Sequence, residues 1–341
     1  MGSVKDLTVI KNASMHSPGV GHFHFSDRYS VFDWGEMPDL ISHKGKALCI
    51  IGAFFFEKLK EMGIQNHYQG VVSDGKVKYL SELAEPTDVM QVTLVNVIKP
   101  ELIGNAYDYS CFKPTDTNFL IPLEIIYRNA LPSGSSIFRR LQEGSLTLQE
   151  LGLEVMPGAN DRLKEPILDV STKLEATDRY LSWREAQKMA NLKDDELQEI
   201  KKTTQVINKL ISDAIKKIGL ENEDGKFEYA FDQNRKLMVV DVLGTPDECR
   251  FTYNGIPVSK EVARIYYRKT SWFKEIEQAK EIGRANWKNS INISPPPLPP
   301  KLYGLISQLY QSVCNEFTQK DWFKTPPLKN ILSEIKEQIQ V

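Results

Sequence analysis

The chain has 341 residues, 41% of them hydrophobic and 26% charged, and its acids and bases balance to a formal net charge of −2. That composition supports one large or two ordinary folded domains and excludes global disorder. It also lacks the basic excess that a broad nucleic-acid-binding surface leaves, so no nucleic-acid partner is expected. The four cysteines, Cys49, Cys111, Cys249 and Cys314, are scattered and form no C-x-x-C pair, which argues against a zinc ribbon or a disulfide-stapled fold. No apolar run reaches the ~18 residues of a membrane span. The N-terminus lacks the continuous apolar stretch of a secretory signal. A soluble, cytoplasmic protein with reduced thiols and no membrane partner is expected.

The first third reads as strands around one helix. In 21–25 His and Phe alternate, so Phe23 and Phe25 share one strand face and His22 and His24 the other. No third ligand lies near the histidines in sequence, and they read as a solvated or hydrogen-bonded pair. Leu48, Ile51, Phe55, Leu59 and Met62 recur at helical spacing, with Gly63 as the C-terminal stop. Ser73-Asp74-Gly75 is a hairpin turn, and 88–98 is a further strand. The β-type run 119–128 contains Pro122, which has no N–H to donate and therefore predicts an edge, a bulge or a crossing between lobes. A boundary between an N-terminal lobe (1–122) and a second lobe (123–341) is placed there.

Past this point the pattern is mixed. Ser182-Trp-Arg-Glu185 has capping-box spacing. Leu197, Ile200, Thr204, Ile207, Ile211, Ala214 and Ile218 mark one face of a long helix ended by Gly219. Strand character returns over 226–241. The tail is helical near 302–313 and 328–339, after the stiff Ser294-Pro-Pro-Pro-Leu-Pro-Pro300, read as a spacer.

Two charged features stand out. If 226–241 folds as a hairpin with a four-residue loop at 233–236, Phe231 faces Met238 and Tyr229 faces Val240. The same register puts Glu228 directly opposite Asp241, and like charges so placed are destabilising. A shared proton, a neighbouring cation such as Lys226, or a bridging Mg²⁺ would each relieve the pair; a slipped register would leave the acids solvated. The second feature is the strand 120–129, where Glu124, Ile126 and Arg128 share a face. An Arg in an apolar strand requires an anion. The turn Pro132-Ser-Gly-Ser-Ser136 close by supplies hydroxyls and amides suited to a phosphate, although an internal Arg–Glu pair satisfies the same pattern.

Several motifs then agree. Leu120-Ile-Pro-Leu-Glu-Ile-Ile-Tyr-Arg-Asn129 with Gly134-Ser135, Asp224-Gly-Lys-Phe-Glu228, Thr245-Pro-Asp-Glu-Cys-Arg-Phe251, and Ser26-Asp-Arg-Tyr-Ser-Val-Phe-Asp33 with Lys44-Gly45 stand in order along the chain. Glu165-Pro-Ile and Ser171-Thr-Lys173 fit the same pattern. Together they resemble the SAICAR synthetase family of purine biosynthesis. The resemblance implies an α+β fold of two lobes: an N-terminal antiparallel β lobe like the small lobe of a kinase, a larger α+β lobe, and ATP in the cleft. It implies an ATP- and Mg²⁺-dependent ligase that joins L-aspartate to carboxyaminoimidazole ribotide (CAIR), and it leaves a homo-oligomer open. By the same resemblance Glu228 and Asp241 are the metal-binding acids, Arg128, Ser135 and Arg250 hold the ribotide phosphate, Lys11 and Glu124 serve ATP, and Asp33 and Lys44 lie around the reacting carboxylates, although an internal ion pair accounts for these last two equally well.

The match has departures. No glycine precedes Lys11, so Gly19-Val-Gly21 is the alternative phosphate loop. One extra residue separates Arg128 from Gly134, and Val242 follows Asp241 where the family often carries a second acid. A noncatalytic nucleotide- or ribotide-binding protein and a small-molecule kinase are the competing readings.

Overall fold

The computed structural model of the chain describes residues 5–282 and 287–339. Among them, the first antiparallel sheet comprises β1 (Lys5–Lys11), β2 (Gly19–Phe25), β3 (Tyr68–Ser73), β4 (Lys76–Lys78) and β5 (Val89–Leu94), in the order β1-β2-β5-β3-β4. The turn between β3 and β4 has Asp74 and Gly75 both at positive φ, which pairs Ser73 with Lys76 in the primed geometry that matches strand twist. Gly19 and Gly21 lie inside β2, Gly19 as its first residue. A Cβ on Gly19 would meet the Lys11 carbonyl oxygen at 2.4 Å, so glycine lets the two strands close on each other. His22 hydrogen-bonds Gln91 of β5 at 3.0 Å.

Helix α1 (Lys44–Glu61) buries Leu48, Ile51, Phe55 and Leu59, the stripe expected from their spacing, against this sheet and against α7 (Pro300–Thr318). Its first turn runs so close to the end of β2 that a Cβ on Gly45 would lie 2.4 Å from the Phe25 carbonyl oxygen. The connection 95–118 carries a small hairpin, β6 (Glu101–Ile103) with β7 (Ala106–Asp108).

The second sheet holds β8 (Phe119–Leu131), β9 (Asp161–Thr172), β10 (Glu221–Phe231), β11 (Leu237–Val240), β12 (Cys249–Tyr253) and β13 (Ile256–Pro257). β10 is its central rib. β8 runs along one edge of β10, and the other edge is shared by β12 at its start and β11 at its end. Pro122 sits in a bulge: Glu124 faces Glu228 and Leu120 faces Ala230, and the pairing shifts between them. One face of this sheet is apolar. There Tyr127 and Phe227 stack at 5.1 Å, and α4 (Asp194–Lys217) lays its buried Ile200, Ile207 and Ile211 against the sheet. The remaining helices are α2 (Ser136–Gln142), α3 (Trp183–Met189, with the capping box from Ser182 to Glu185), α5 (Glu261–Tyr267), α6 (Ser271–Ile282) and α8 (Leu328–Ile339). A continuous core joins both sheets to the C-terminal helices.

Candidate active site

The other face of the second sheet is charged because of strand alternation. Leu123, Ile125 and Tyr127 point to the core, so Glu124, Ile126 and Arg128 point away from it. The cross-strand partners extend the pattern into rows. Arg128 on β8, Asp224 on β10 and Arg250 on β12 are directly paired neighbours. Two residues further along each strand pair lies Lys226, and two further still Glu124 faces Glu228. Of these residues Arg128, Asp224, Arg250, Lys226 and Glu124, with Asp178, Tyr180, Asp247 and Glu248, line a cleft of about 420 Å³, while Glu228 is buried beside Glu124 and outside the lining.

One end of the cleft is cationic. Arg128 is buried, and its guanidinium meets Asp169 at 3.1 Å, Asp224 at 3.8 Å and the Ser136 hydroxyl at 3.1 Å. Asp169 also accepts from Arg140 at 2.6 Å. Ser135 stands behind Arg128, receiving a long hydrogen bond from it at 3.5 Å while capping α2. Arg250 is 38% exposed and only 3.4 Å from Asp224, so its charge is turned to solvent. Three arginines thus share two aspartates, and the surplus positive charge faces the cleft. The Arg128 Nε is buried without a partner.

The other end is a lattice of acids and lysines. Lys173 bridges Glu124 at 3.1 Å and Glu228 at 2.6 Å, Lys226 reaches Glu124 at 2.9 Å, and Lys5 reaches across from β1 to Asp241 at 2.7 Å. The expected register is corrected here. Glu228 pairs with Val240, not Asp241, and Phe231 with Leu237. The loop has five residues, closed by the Asp232 N–H to the Lys236 carbonyl, with Arg235 at φ 56°. Asp241 follows the last β11 residue at φ 65°, and the imidazole Nε2 of buried His67 is 2.9 Å from its carbonyl oxygen. Its carboxylate nonetheless remains near Glu228. Burial, then the Asp241 charge, push the Glu228 carboxyl up to about 7. Burial works to raise Asp241 too, but Lys5, by charge and hydrogen bond, together with Lys173 and Lys226, brings the group down to about 2. The two acids therefore titrate as a coupled pair, pushed in opposite directions by the cations around them.

The residues expected from the first third lie elsewhere. Lys11 is exposed at the end of β1. Asp33 follows Phe32 in a left-handed turn (φ 62° and 56°), and its carboxylate, 86% exposed, meets Lys280 of α6 at 3.1 Å. Lys44 does not open on the cleft: it is fully buried, 2.8 Å from Asp247 and 3.1 Å from the Arg28 carbonyl. Burial works to raise Asp247, but Lys260 and Lys44 hold it well below the usual carboxylate range. Sequence reasoning missed Lys5, His67, Asp178 and Glu248. Lys5 and His67 carried no local signal, since their partners are more than 170 residues away.

A sequence profile of SAICAR synthetase matches residues 11–279. A putative phosphoribosylaminoimidazole-succinocarboxamide synthase of Archaeoglobus fulgidus is 49% identical over 340 residues, covering all of both chains. The phosphoribosylaminoimidazole-succinocarboxamide synthase of Thermoplasma acidophilum is 31% identical over 307 residues, covering 88% of this chain and 93% of its own. Among solved structures, the SAICAR synthase of Saccharomyces cerevisiae complexed with SAICAR superposes with a TM-score of 0.64 at 21% identity over 95% of each chain. A SAICAR synthetase in complex with ADP superposes with a TM-score of 0.55 at 22% identity, over 87% of this chain and 99% of its own.

Proposed function

The chain belongs to the SAICAR synthetase family, and from that premise we propose how its own residues divide the family's reaction. The protein is an ATP-dependent carbon–nitrogen ligase of purine biosynthesis that joins L-aspartate to CAIR. The single observation that carries the division of labour is the arrangement of rows on β8, β10 and β12. Arginines with surplus charge stand at one end of a cleft, and buried acids laced with lysines stand at the other.

The ribotide phosphate belongs at the arginine end. Arg128 and Arg250 supply charge-assisted hydrogen bonds, and Ser135 steadies Arg128 from behind. Anchoring there places the far, reacting end of the substrate over Lys226 and Glu124. A carboxylate is a poor electrophile toward an amine. Transfer of the γ-phosphoryl group of ATP to the CAIR carboxylate, with ADP leaving, gives an acyl phosphate. The amine of L-aspartate then attacks that carbonyl and expels phosphate. Positioning and electrostatics supply most of the catalysis. Lys11 serves the triphosphate, Glu124 holds Lys173 and Lys226 in place at the nucleotide end, and Asp33 serves the aspartate end. Lys44 acts at second hand, by keeping Asp247 ionised on the cleft wall.

Glu228 and Asp241 are assigned to Mg²⁺. Among the described residues no three His, Cys, Asp or Glu side chains converge as a ready metal cage. Two buried carboxylates are nevertheless what this ion takes when substrate phosphates and water complete its shell. Lys173 and Lys5 balance these two acids at 2.6 and 2.7 Å, the positions a cation's charge would share. When bound, the ion would neutralise charge between the attacking carboxylate and the polyphosphate.

The test is ADP release measured with each substrate omitted in turn. The ligase requires both L-aspartate and ribotide; a kinase releases ADP without aspartate, and a binding protein releases none. Asp241→Asn should reduce turnover by about 10²–10³-fold, the scale of losing one key electrostatic group, in a protein that still folds, with its unfolding midpoint lowered by the lost charge opposite Lys5. Normal turnover in that variant removes Asp241 from the metal site.

A further inference from the structure

The connection 95–118 does more than join the two sheets. The tip of its β6–β7 hairpin is bare, with Leu102 and Ile103 exposed. Its base is not. The Tyr107 hydroxyl accepts the Ala176 N–H at 3.0 Å, and the Tyr109 hydroxyl donates to the Glu175 carboxylate at 3.0 Å. Arg179 grips both oxygens of the same carboxylate, at 2.8 and 3.2 Å, and leaves it only 8% exposed. The Tyr109 ring stacks on Phe112 at 6.0 Å, and Phe112 in turn packs on Phe119, the first residue of β8.

The segment held this way is the turn 173–178. Its mouth is closed by Thr172 and Arg179, which exchange hydrogen bonds at 3.0 Å. β9 ends at Thr172, and the Lys173 N–H still donates to the Pro122 carbonyl of β8 at 3.1 Å, but among the described residues no backbone–backbone bond holds 174–178. The turn nevertheless carries chemistry at both ends. Lys173 supplies the bridge between Glu124 and Glu228, and Asp178 lines the cleft. Beyond Lys173 the turn therefore needs another source of rigidity. Leu174 packs against the core, and Tyr107 and Tyr109 reach the turn from outside the sheet.

We propose that the β6–β7 connection is a positioning element of the active site: Tyr107 and Tyr109 hold the turn 173–178 so that Lys173 and Asp178 keep their places in the cleft. Neither tyrosine touches substrate. The inference rests on reading this cleft as the ligase site, and it adds that the linker between the sheets governs the rigidity of one wall of it.

The experiment uses the full chain with Tyr107→Phe and Tyr109→Phe combined, which keeps both rings and removes only the hydroxyls. Two readouts are taken: hydrogen exchange of the peptide containing 173–178, and kcat with KM for ATP, L-aspartate and ribotide. The expected result is faster exchange in that peptide, where Ala176 loses its acceptor. With it should come a fall in kcat of about tenfold and a KM for the ribotide within about twofold of the parent, the split of an interaction that acts on the reacting geometry and not on the arginine end that anchors the ribotide. Glu175→Gln, which keeps an acceptor for Tyr109, should retain kcat within about threefold. Unchanged exchange, or faster exchange with unchanged kcat, overturns the proposal. If the parent itself shows no aspartate-dependent ADP release, the ligase reading fails; the exchange result still reports separately whether the tyrosines hold the turn.

Discussion

The charged residues of the second sheet and those of the first third meet their ligands from opposite starting points. Arg128, Asp224, Glu124, Glu228 and Lys173 are buried or half-buried and already paired, each held within 4 Å of an opposite charge. Lys11 and Asp33 are exposed, one at a strand end and the other in a left-handed turn tied to a lysine of α6. A paired, desolvated lattice keeps its geometry and presents a strong field, because its dipoles do not reorganise when substrate arrives. An exposed charge is screened and contributes only when a ligand excludes water from it. The difference teaches that the electrostatic framework is built on β8, β10 and β12, with Lys5 of β1 joined to it through Asp241, and that the exposed Lys11 and Asp33 supply reach.

Lys44 gives the largest effect, and it sharpens this comparison by crossing it: it belongs to the first third by sequence and to the buried lattice by contact. Replacing it by Met removes the nearest cation and leaves Asp247 in the interior with the charge of Lys260 and the hydroxyl of Tyr310. Breaking a buried pair in this way costs about 3–5 kcal/mol. Urea unfolding of Lys44→Met should therefore show a midpoint shifted strongly downward. A variant with parental stability and lost turnover would instead return Lys44 to the group that meets substrate.

Lys44 also shows what the sequence can and cannot reveal. From the sequence Lys44 reads either as a group at the reacting carboxylates or as half of an internal ion pair; its partner is out of local view, because the chain brings Asp247 back only after some two hundred residues. The same limit explains the hairpin. Alternation in 226–241 reveals two strands and a charged face, but not the fifth loop residue. That residue exists because Arg235 adopts a left-handed backbone while its guanidinium binds Glu196 at 2.6 Å, the Asp116 carbonyl at 2.6 Å and the ring of Phe231. Those contacts come from elsewhere in the fold, and they slip the register by one. The β8 face, by contrast, was legible in full. Glu124 and Arg128 lie on one side and Tyr127 on the other because strand alternation is local and needs no partner to define it.

Arg250 gives the intermediate effect. It is the half-exposed member of the Arg128–Asp224–Arg250 row, so removing it strips charge from the cleft and leaves Asp224 still neighboured by Arg128. Arg250→Ala should raise the KM for the ribotide about 10–100-fold, the loss of one charge-assisted phosphate contact. The KM for ATP should change little and stability by about 1 kcal/mol or less. Equal rises in both KM values would mean that the arginine end does not discriminate the ribotide, and the two ends of the cleft would lose their separate roles.

Lys11 gives the smallest effect and the most direct challenge to the comparison. Being exposed at the end of β1, it makes no buried contact whose loss would destabilise the fold. Lys11→Ala should leave stability within about 0.5 kcal/mol of the parent. If its role is to reach the triphosphate, the KM for ATP should rise about 3–10-fold at low salt, the scale of one screened ion pair. The rise should shrink as salt is added, because the Debye length falls to about 8 Å at physiological ionic strength and the exposed lysine lies in that screened layer. The corresponding change for Arg250→Ala should persist in salt, since Arg250 stands over a desolvated row. Should the two salt dependences coincide, burial would not be what separates the two regions, and the division between framework and reach would fall.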